Sequence, residues 1–239
     1  MFYFLLPTLM SYNFFLIAAA VVPAVFLMVK AYRSDKLEKE SKYVLWNLTK
    51  AGIFSSLIAL VEERVLCFVL DSTVAKESFI YNIILYFGIV AFAEESSKYF
   101  MLKRRSWHSC EFNCRYDGVI YAVFVSLGFA LWENISYVMA YGTGTAIVRA
   151  VTAIPGHACF GVFMGVFYGA AKAYERRGHT GASKFLRILS VVVPALIHGA
   201  YDYIATSQTG TLHFVCFIVV LFAVSYILVG KSSKNDIYI

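Results

Sequence analysis

The stretch Ala91–Phe100, AFAEESSKYF, places two adjacent carboxylates and a lysine inside a run that is otherwise apolar from about 79 to 102. In a helix, Lys98 lies four residues after Glu94 and three after Glu95, so its ammonium can reach either carboxylate. Neighbouring side chains on a helix point about 100° apart, so one glutamate can line a cavity while the other holds the lysine. The stretch predicts a membrane helix with a polar face, although an ion pair that only joins helices would give the same pattern.

The composition is that of an integral membrane protein. Of 239 residues, 60% are hydrophobic and 15% are charged, with a mean hydropathy of +0.68, whereas soluble domains are about 45–50% apolar. The net charge of +6 comes from basic residues clustered between apolar runs. This pattern favours membrane lipids with anionic headgroups as partners and argues against nucleic acid.

Seven apolar stretches are long enough to cross a bilayer, which takes about 20 residues. They predict an all-α polytopic transmembrane bundle of about seven helices, at roughly 8–29, 46–70, 79–102, 117–140, 146–171, 185–206 and 211–230. No convincing repeat or soluble domain is evident, so residues 1–239 are expected to form a single integral membrane domain.

The charges between these stretches predict the orientation. Lysines and arginines fill the first, third and fifth connections and the tail, while the opposite connections hold only Lys76 and Arg149. Because basic loops stay in the cytoplasm, the N-terminus is expected outside and the C-terminus in the cytoplasm.

Further ionisable residues fall inside the later stretches: Glu133 in the fourth, His157 in the fifth, and His198 and Asp202 in the sixth. A charged group near the bilayer centre costs about 2.5–3.5 kcal/mol on insertion scales, so such groups normally face a bundle interior or a water-filled cavity. We expect these residues to share one polar chamber with the 91–100 stretch.

Each of these residues also has a plainer interpretation. His198 and Asp202 lie four apart on one helical face, where the carboxylate can fix the imidazole tautomer, but a membrane histidine often only joins helices. His157 continues a ridge of glycines spaced by four, which predicts that it points into a neighbouring helix. Glu133 lies near an outer helix end, so the alternative for it is a carboxylate in contact with water at the membrane interface. Residues 62–64 (Glu-Glu-Arg) are expected mainly to compensate one another's charge.

The residue types fit hydrolysis of an amide by an activated water. A carboxylate removes a proton from water, and imidazoles stabilise the oxyanion or protonate the leaving nitrogen. The sequence lacks the His-Glu-X-X-His run of zinc proteases and the Gly-X-Ser-X-Gly elbow of serine hydrolases. Histidines with carboxylates can still hold a metal, so metal dependence stays open.

The order of these motifs resembles the PrsW family of bacterial glutamic-type intramembrane proteases, which is related more distantly to the CAAX prenyl proteases. The resemblance runs from about 79 to 206 as a catalytic-motif core. It rests on Glu94-Glu95-X-X-Lys98, an Asp117-Gly118 start leading to Phe129-X-X-X-Glu133, His157, and His198-X-X-X-Asp202.

The resemblance implies an endopeptidase of the bacterial plasma membrane that makes the site-1 cut in a membrane-anchored, single-pass anti-sigma factor. It implies that Glu94 or Glu95 activates water, the first preferred by analogy with CAAX proteases, and that His157, His198 and Asp202 assist. CAAX proteases carry a histidine where this chain has Glu133, so the role of that position does not transfer and prenylated substrates are not expected. No cofactor is expected to be required.

Two other functions fit the same residues. A proton- or ion-coupled transporter also uses buried carboxylates and a lysine, but no evident repeat or pair of broken helices supports it. A non-catalytic scaffold subunit is the other alternative, because a structural subunit of the γ-secretase complex resembles this superfamily in fold.

One difficulty concerns depth: Glu94 and Glu95 are expected nearer the cytoplasmic end of their helix, whereas Glu133 and Asp202 are expected nearer the outer ends of theirs.

Overall fold

The computed structural model describes residues 2–207 and 210–239, with side chains described for Phe14 and from Leu16 onward. These residues form helices joined by short connections, with an isolated bridge between Cys114 and Tyr238 as their only β pairing. The helices are α1 Phe2–Ser34, α2 Lys42–Thr73, α3 Phe79–Ile83, a π-helical segment Ile84–Val90, α4 Ala91–Ser106, α5 Asp117–Tyr141, α6 Thr143–Val151, α7 Ala153–Arg176, α8 Thr180–Thr206 and α9 Thr211–Lys234.

Together these helices form the seven long segments that the sequence predicts. The π-helical segment joins α3 to α4 without a break, and only Thr152 separates α6 from α7. By length and composition, six of the described segments can cross a membrane. The remaining segment, α2, is long enough but carries Lys50 and the charged residues 62–64. The chain is therefore an all-α, multi-pass membrane protein.

The predicted helix at 146–171 differs from the structure, because α6 ends at Val151 and α7 begins at Ala153. Pro155 lies in the first turn of α7, where its missing N–H costs nothing but where it cannot continue a preceding helix. The break leaves α6 as a short separate helix, and Arg149 on it contacts α5.

The centre of the bundle is α5, which is buried over most of its length. It crosses α7 at glycines: a Cβ added to Gly118 would lie 2.5 Å from Gly169 N, and one added to Gly165 would overlap the backbone of Val119. The predicted glycine ridge of α7 therefore packs directly against the backbone of α5, as in other membrane helix pairs. This contact places Glu133 of α5 beside His157 of α7.

Candidate active site

The site is built around α4, which directly follows the π-helical segment. Such widened turns recur at functional sites, and here the segment packs closely on α8. A Cβ added to Gly199 of α8 would lie 2.6 Å from Phe87 Cδ1. The missing side chain at Gly199 therefore lets the neighbouring His198 approach the face of α4 that carries Glu94 and Glu95.

Lys98 is fully buried at the centre of the cluster. Its Nζ donates to Glu94 Oε2 at 3.0 Å and to Glu95 Oε1 at 2.8 Å, and it lies 3.2 Å from His157 Nδ1. The ring centroid of Phe129 is 3.9 Å from the same nitrogen. The predicted ion pair thus forms with both carboxylates at once, and Lys98 also joins α4 to α5 and α7.

His157 connects Lys98 to a second ion pair. Its Nε2 lies 2.7 Å from Glu133 Oε2, and Arg149 Nη2 lies 3.0 Å from the same oxygen. An ammonium has no lone pair to offer, so Nδ1 must accept from Lys98 and Nε2 must carry the proton that points to Glu133. The hydrogen-bond network therefore assigns the neutral Nε2–H tautomer to His157.

His198 is held mainly by Glu95. Its Nδ1 lies 3.0 Å from Glu95 Oε1, while its Nε2 lies 3.5 Å from Asp202 Oδ2. The Phe160 ring stacks on the imidazole with 4.5 Å between centroids. The predicted pairing of His198 with Asp202 is present, but the tighter contact is one that crosses from α8 to α4.

A chamber of about 490 Å³ opens in front of these groups. It is lined by five of the predicted site residues: Glu94, Glu133, His157, His198 and Asp202. Glu95 and Lys98 lie behind its wall and are 0% exposed, whereas Glu94 is 6% exposed. The two adjacent glutamates therefore differ, because only Glu94 can touch a molecule in the chamber.

The expected difference in depth is small between Glu94 and Glu133 and does not separate them. The helix that bears Glu94 runs on to Ser106, not to 102, and α5 begins at Asp117 at the same end of the bundle. At about 1.5 Å per residue, Glu94 lies roughly 18 Å from that end and Glu133 roughly 24 Å. The length of a histidine side chain bridges such a difference, and His157 does so here.

Two further residues line the chamber: Arg149, which the sequence did not predict as a site residue, and Glu63, which was assigned to the 62–64 cluster. Arg149 binds Glu133, donates through Nε to Asn134 Oδ1 at 2.9 Å and lies over the ring of Tyr137. The available signal was its isolation, as one of two basic residues in the outer connections. Glu63 also lines the chamber, while Glu62 and Arg64 beside it are exposed, so only Glu63 of the three faces the site residues.

A divalent metal fits the donor atoms but not the space between them. Glu94, Glu95 and His157 each offer a ligand atom, and these atoms lie within 4.8 Å of one another, in the part of the chain that the structure describes. The same three side chains surround Lys98 Nζ at 2.8–3.2 Å. In this arrangement a metal ion would have to displace the ammonium.

Comparison with known proteins gives one consistent result. The model of a family described as "PrsW family intramembrane metalloprotease" matches residues 40–229. Curated proteins named "Protease PrsW" are 32% identical over 84% of this chain and 87% of the relative in Bacillus subtilis, and 34% identical over 93% and 99% in Halalkalibacterium halodurans. Another, in Oceanobacillus iheyensis, is 30% identical over 93% and 98%. No solved structure matches the chain.

Proposed function

We infer the function from the premise that the chain belongs to the PrsW family of intramembrane proteases. It is therefore a membrane-embedded peptide hydrolase. This premise sets aside the transporter and scaffold alternatives, and it leaves the catalytic mechanism and the substrate to be inferred from the site.

The proposed general base is Glu94. The observation that supports this role is the difference between the two glutamates: Glu94 lines the chamber, whereas Glu95 is sealed behind the wall. Glu94 removes a proton from a water as the water oxygen attacks the scissile carbonyl carbon. The same proton then passes to the leaving nitrogen as the carbon–nitrogen bond breaks, which yields an acid and an amine.

His198 acts beside Glu94, with Glu95 as its positioning residue. Glu95 binds Nδ1 and so turns Nε2 toward Asp202 and the chamber. When Nε2 carries a proton, it can donate a hydrogen bond to the developing oxyanion. The stack with Phe160 keeps the ring in this plane.

His157 and Glu133 also line the chamber. The Nε2–H of His157 points to Glu133 Oε2, and Arg149 binds the same oxygen. Glu133 is therefore an anchor for His157 and Arg149 in this proposal, and not a second base. This assignment gives the position a role that the distant CAAX proteases do not supply.

The proposed substrate is a single-pass membrane protein, and an anti-sigma factor is the specific candidate. The support is the family membership together with the position of the chamber among helices able to cross a membrane. The proposed location is a bacterial plasma membrane, as the relatives come from bacteria. The alternation of basic connections supports an N-terminus outside and a C-terminus in the cytoplasm.

The test compares protein N-termini in cells that make the wild type, Glu94→Gln or Glu62→Gln at matched levels. Glu62 is the control because it is an exposed carboxylate outside the chamber. New termini near the spans of single-pass proteins should be present with the wild type and with Glu62→Gln and absent with Glu94→Gln. Identical sets of termini in all three strains would contradict the proposed function.

A further inference from the structure

Lys98 occupies a site built for a cation. An ammonium has three N–H donors, and Lys98 faces three acceptors: Glu94 Oε2, Glu95 Oε1 and His157 Nδ1. The Phe129 ring lies 3.9 Å from Nζ, so the cation also rests against an aromatic ring. Every donor of this buried group is therefore satisfied without water.

The surroundings of Nζ have the features of a metal site. Two carboxylates and one imidazole nitrogen converge, and the second nitrogen of that imidazole points to the carboxylate of Glu133. Metal-binding histidines are commonly oriented by such a carboxylate on their second nitrogen. In this chain, however, the centre of the arrangement is an ammonium nitrogen.

An ammonium and a divalent ion cannot share this position. A zinc ion needs about 2.0–2.2 Å to carboxylate oxygens and imidazole nitrogens, and the three residues that could supply them already surround Nζ, with one atom of each at 2.8–3.2 Å. A metal bound by these residues would lie beside a positive charge that is buried away from water, where like charges repel strongly. Access from the side of Phe129 is blocked by the ring.

We propose that the ammonium of Lys98 permanently takes the place of a divalent metal in this site, so that the enzyme works without one. The inference departs from the word "metalloprotease" in the description of the family. It deepens the proposed function, because it identifies the charge that holds Glu94 in place while Glu94 activates water. Its principal test measures bound metal and not activity, so this inference and the proposed function can fail separately.

Removal of the ammonium should create a metal site. Lys98→Ala leaves Glu94 and Glu95 as adjacent buried carboxylates without a counter-ion, with His157 Nδ1 still facing them. A divalent ion then supplies both the charge and the ligand partners that are missing. Lys98→Arg is the matched control, because it keeps a positive charge in the space.

The experiment uses the full chain, purified in detergent as wild type, Lys98→Ala, Lys98→Arg and Lys98→Ala with His157→Ala. Each is incubated with Zn²⁺, desalted and measured for zinc by mass spectrometry. The wild type and Lys98→Arg should keep less than about a tenth of a zinc ion per chain, and Lys98→Ala should keep about one. The double variant should lose most of that zinc, since it lacks one of the three ligands.

Two results would overturn the proposal. The first is a wild type that keeps about one divalent ion per chain through desalting and loses it, with its activity, to a chelator. This result decides the question even if Lys98→Ala does not fold. The second is a folded Lys98→Ala, with the elution volume of the wild type, that binds no more zinc than the wild type does.

Discussion

Among individual residues, Arg149 shows how a charge outside the recognised motifs supports the site. It binds Glu133 at 3.0 Å and Asn134 at 2.9 Å, and its guanidinium lies 4.1 Å from the ring centroid of Tyr137. Glu133 in turn binds His157, so Arg149 and the chamber histidine share one carboxylate. Loss of Arg149 should therefore affect both stability and catalysis.

The first prediction is that Arg149→Met lowers the free energy of unfolding by about 2 kcal/mol, because it leaves the largely shielded carboxylate of Glu133 with one partner fewer. A double-mutant cycle with Glu133→Gln, followed by thermal unfolding in detergent, isolates the pairwise coupling. Lys76→Met is the control, since its ion pair with Asp71 is exposed and should change stability very little. Strict additivity of the Arg149 and Glu133 effects would contradict this account.

Among the helices, the crossing of α5 and α7 carries the geometry of the site. Gly118 and Gly165 allow the two backbones to touch, and the same two helices carry Glu133 and His157. A side chain at the crossing would push the helices apart. The 2.7 Å contact between Glu133 Oε2 and His157 Nε2, farther along the same helices, would then lengthen.

The second prediction concerns Gly165→Ala. Its Cβ would overlap the backbone of Gly118 and Val119, which cannot move aside as a flexible side chain could, so we expect destabilisation of about 1–3 kcal/mol with a loss of activity. Gly181→Ala is the matched control, because no atom lies within 4 Å of a Cβ at that position of α8. Thermal unfolding of both variants is the measurement, and equal stability would refute the close-packing explanation.

The sequence was a good guide to the helices and to which charged residues lie together around the chamber, for one physical reason. Apolar stretches mark membrane helices, and a charge inside one is costly enough to mark a shared chamber. The sequence could not show which of Glu94 and Glu95 lines the chamber, because that depends on how α4 is rotated about its axis. The packing of Phe87 on Gly199 could not be predicted either, because these residues are far apart in the sequence. The role of Arg149 was missed for a similar reason, since the break at Thr152 places it on a separate helix against α5.

In the molecule as a whole, a second polar cluster lies at the opposite end from α6, where the connection between α1 and α2 meets α5. Glu40 is buried there and accepts a hydrogen bond from Tyr121 Oη at 2.7 Å. Burial, and then the charge of Asp117, raises the pKa of Glu40 from 4.5 to about 9. The folded chain therefore holds a proton on Glu40 that the unfolded chain releases near pH 4.5.

The third prediction follows from this difference. Between about pH 4.5 and 9 the unfolded state binds fewer protons at Glu40 than the folded state, so the contribution of Glu40 to stability falls as the pH rises. Glu40→Gln cannot ionise and keeps an oxygen for Tyr121, so it should be more stable than the wild type by about 1–2 kcal/mol at pH 8 and no more stable at pH 5. Parallel stability curves for the two proteins over this range would contradict the prediction.

The central claim is that Glu94 activates the water and that Glu95 only positions His198. It is tested most directly by cleavage kinetics in proteoliposomes, with a substrate found from the comparison of N-termini, for the wild type, Glu94→Gln and Glu95→Gln. Glu94→Gln should lower kcat by about 10³-fold or more, and Glu95→Gln by about 10- to 100-fold, with KM little changed in both. A Glu94→Gln variant that still cleaves at near the wild-type rate, beside an inactive Glu95→Gln, would contradict the assignment.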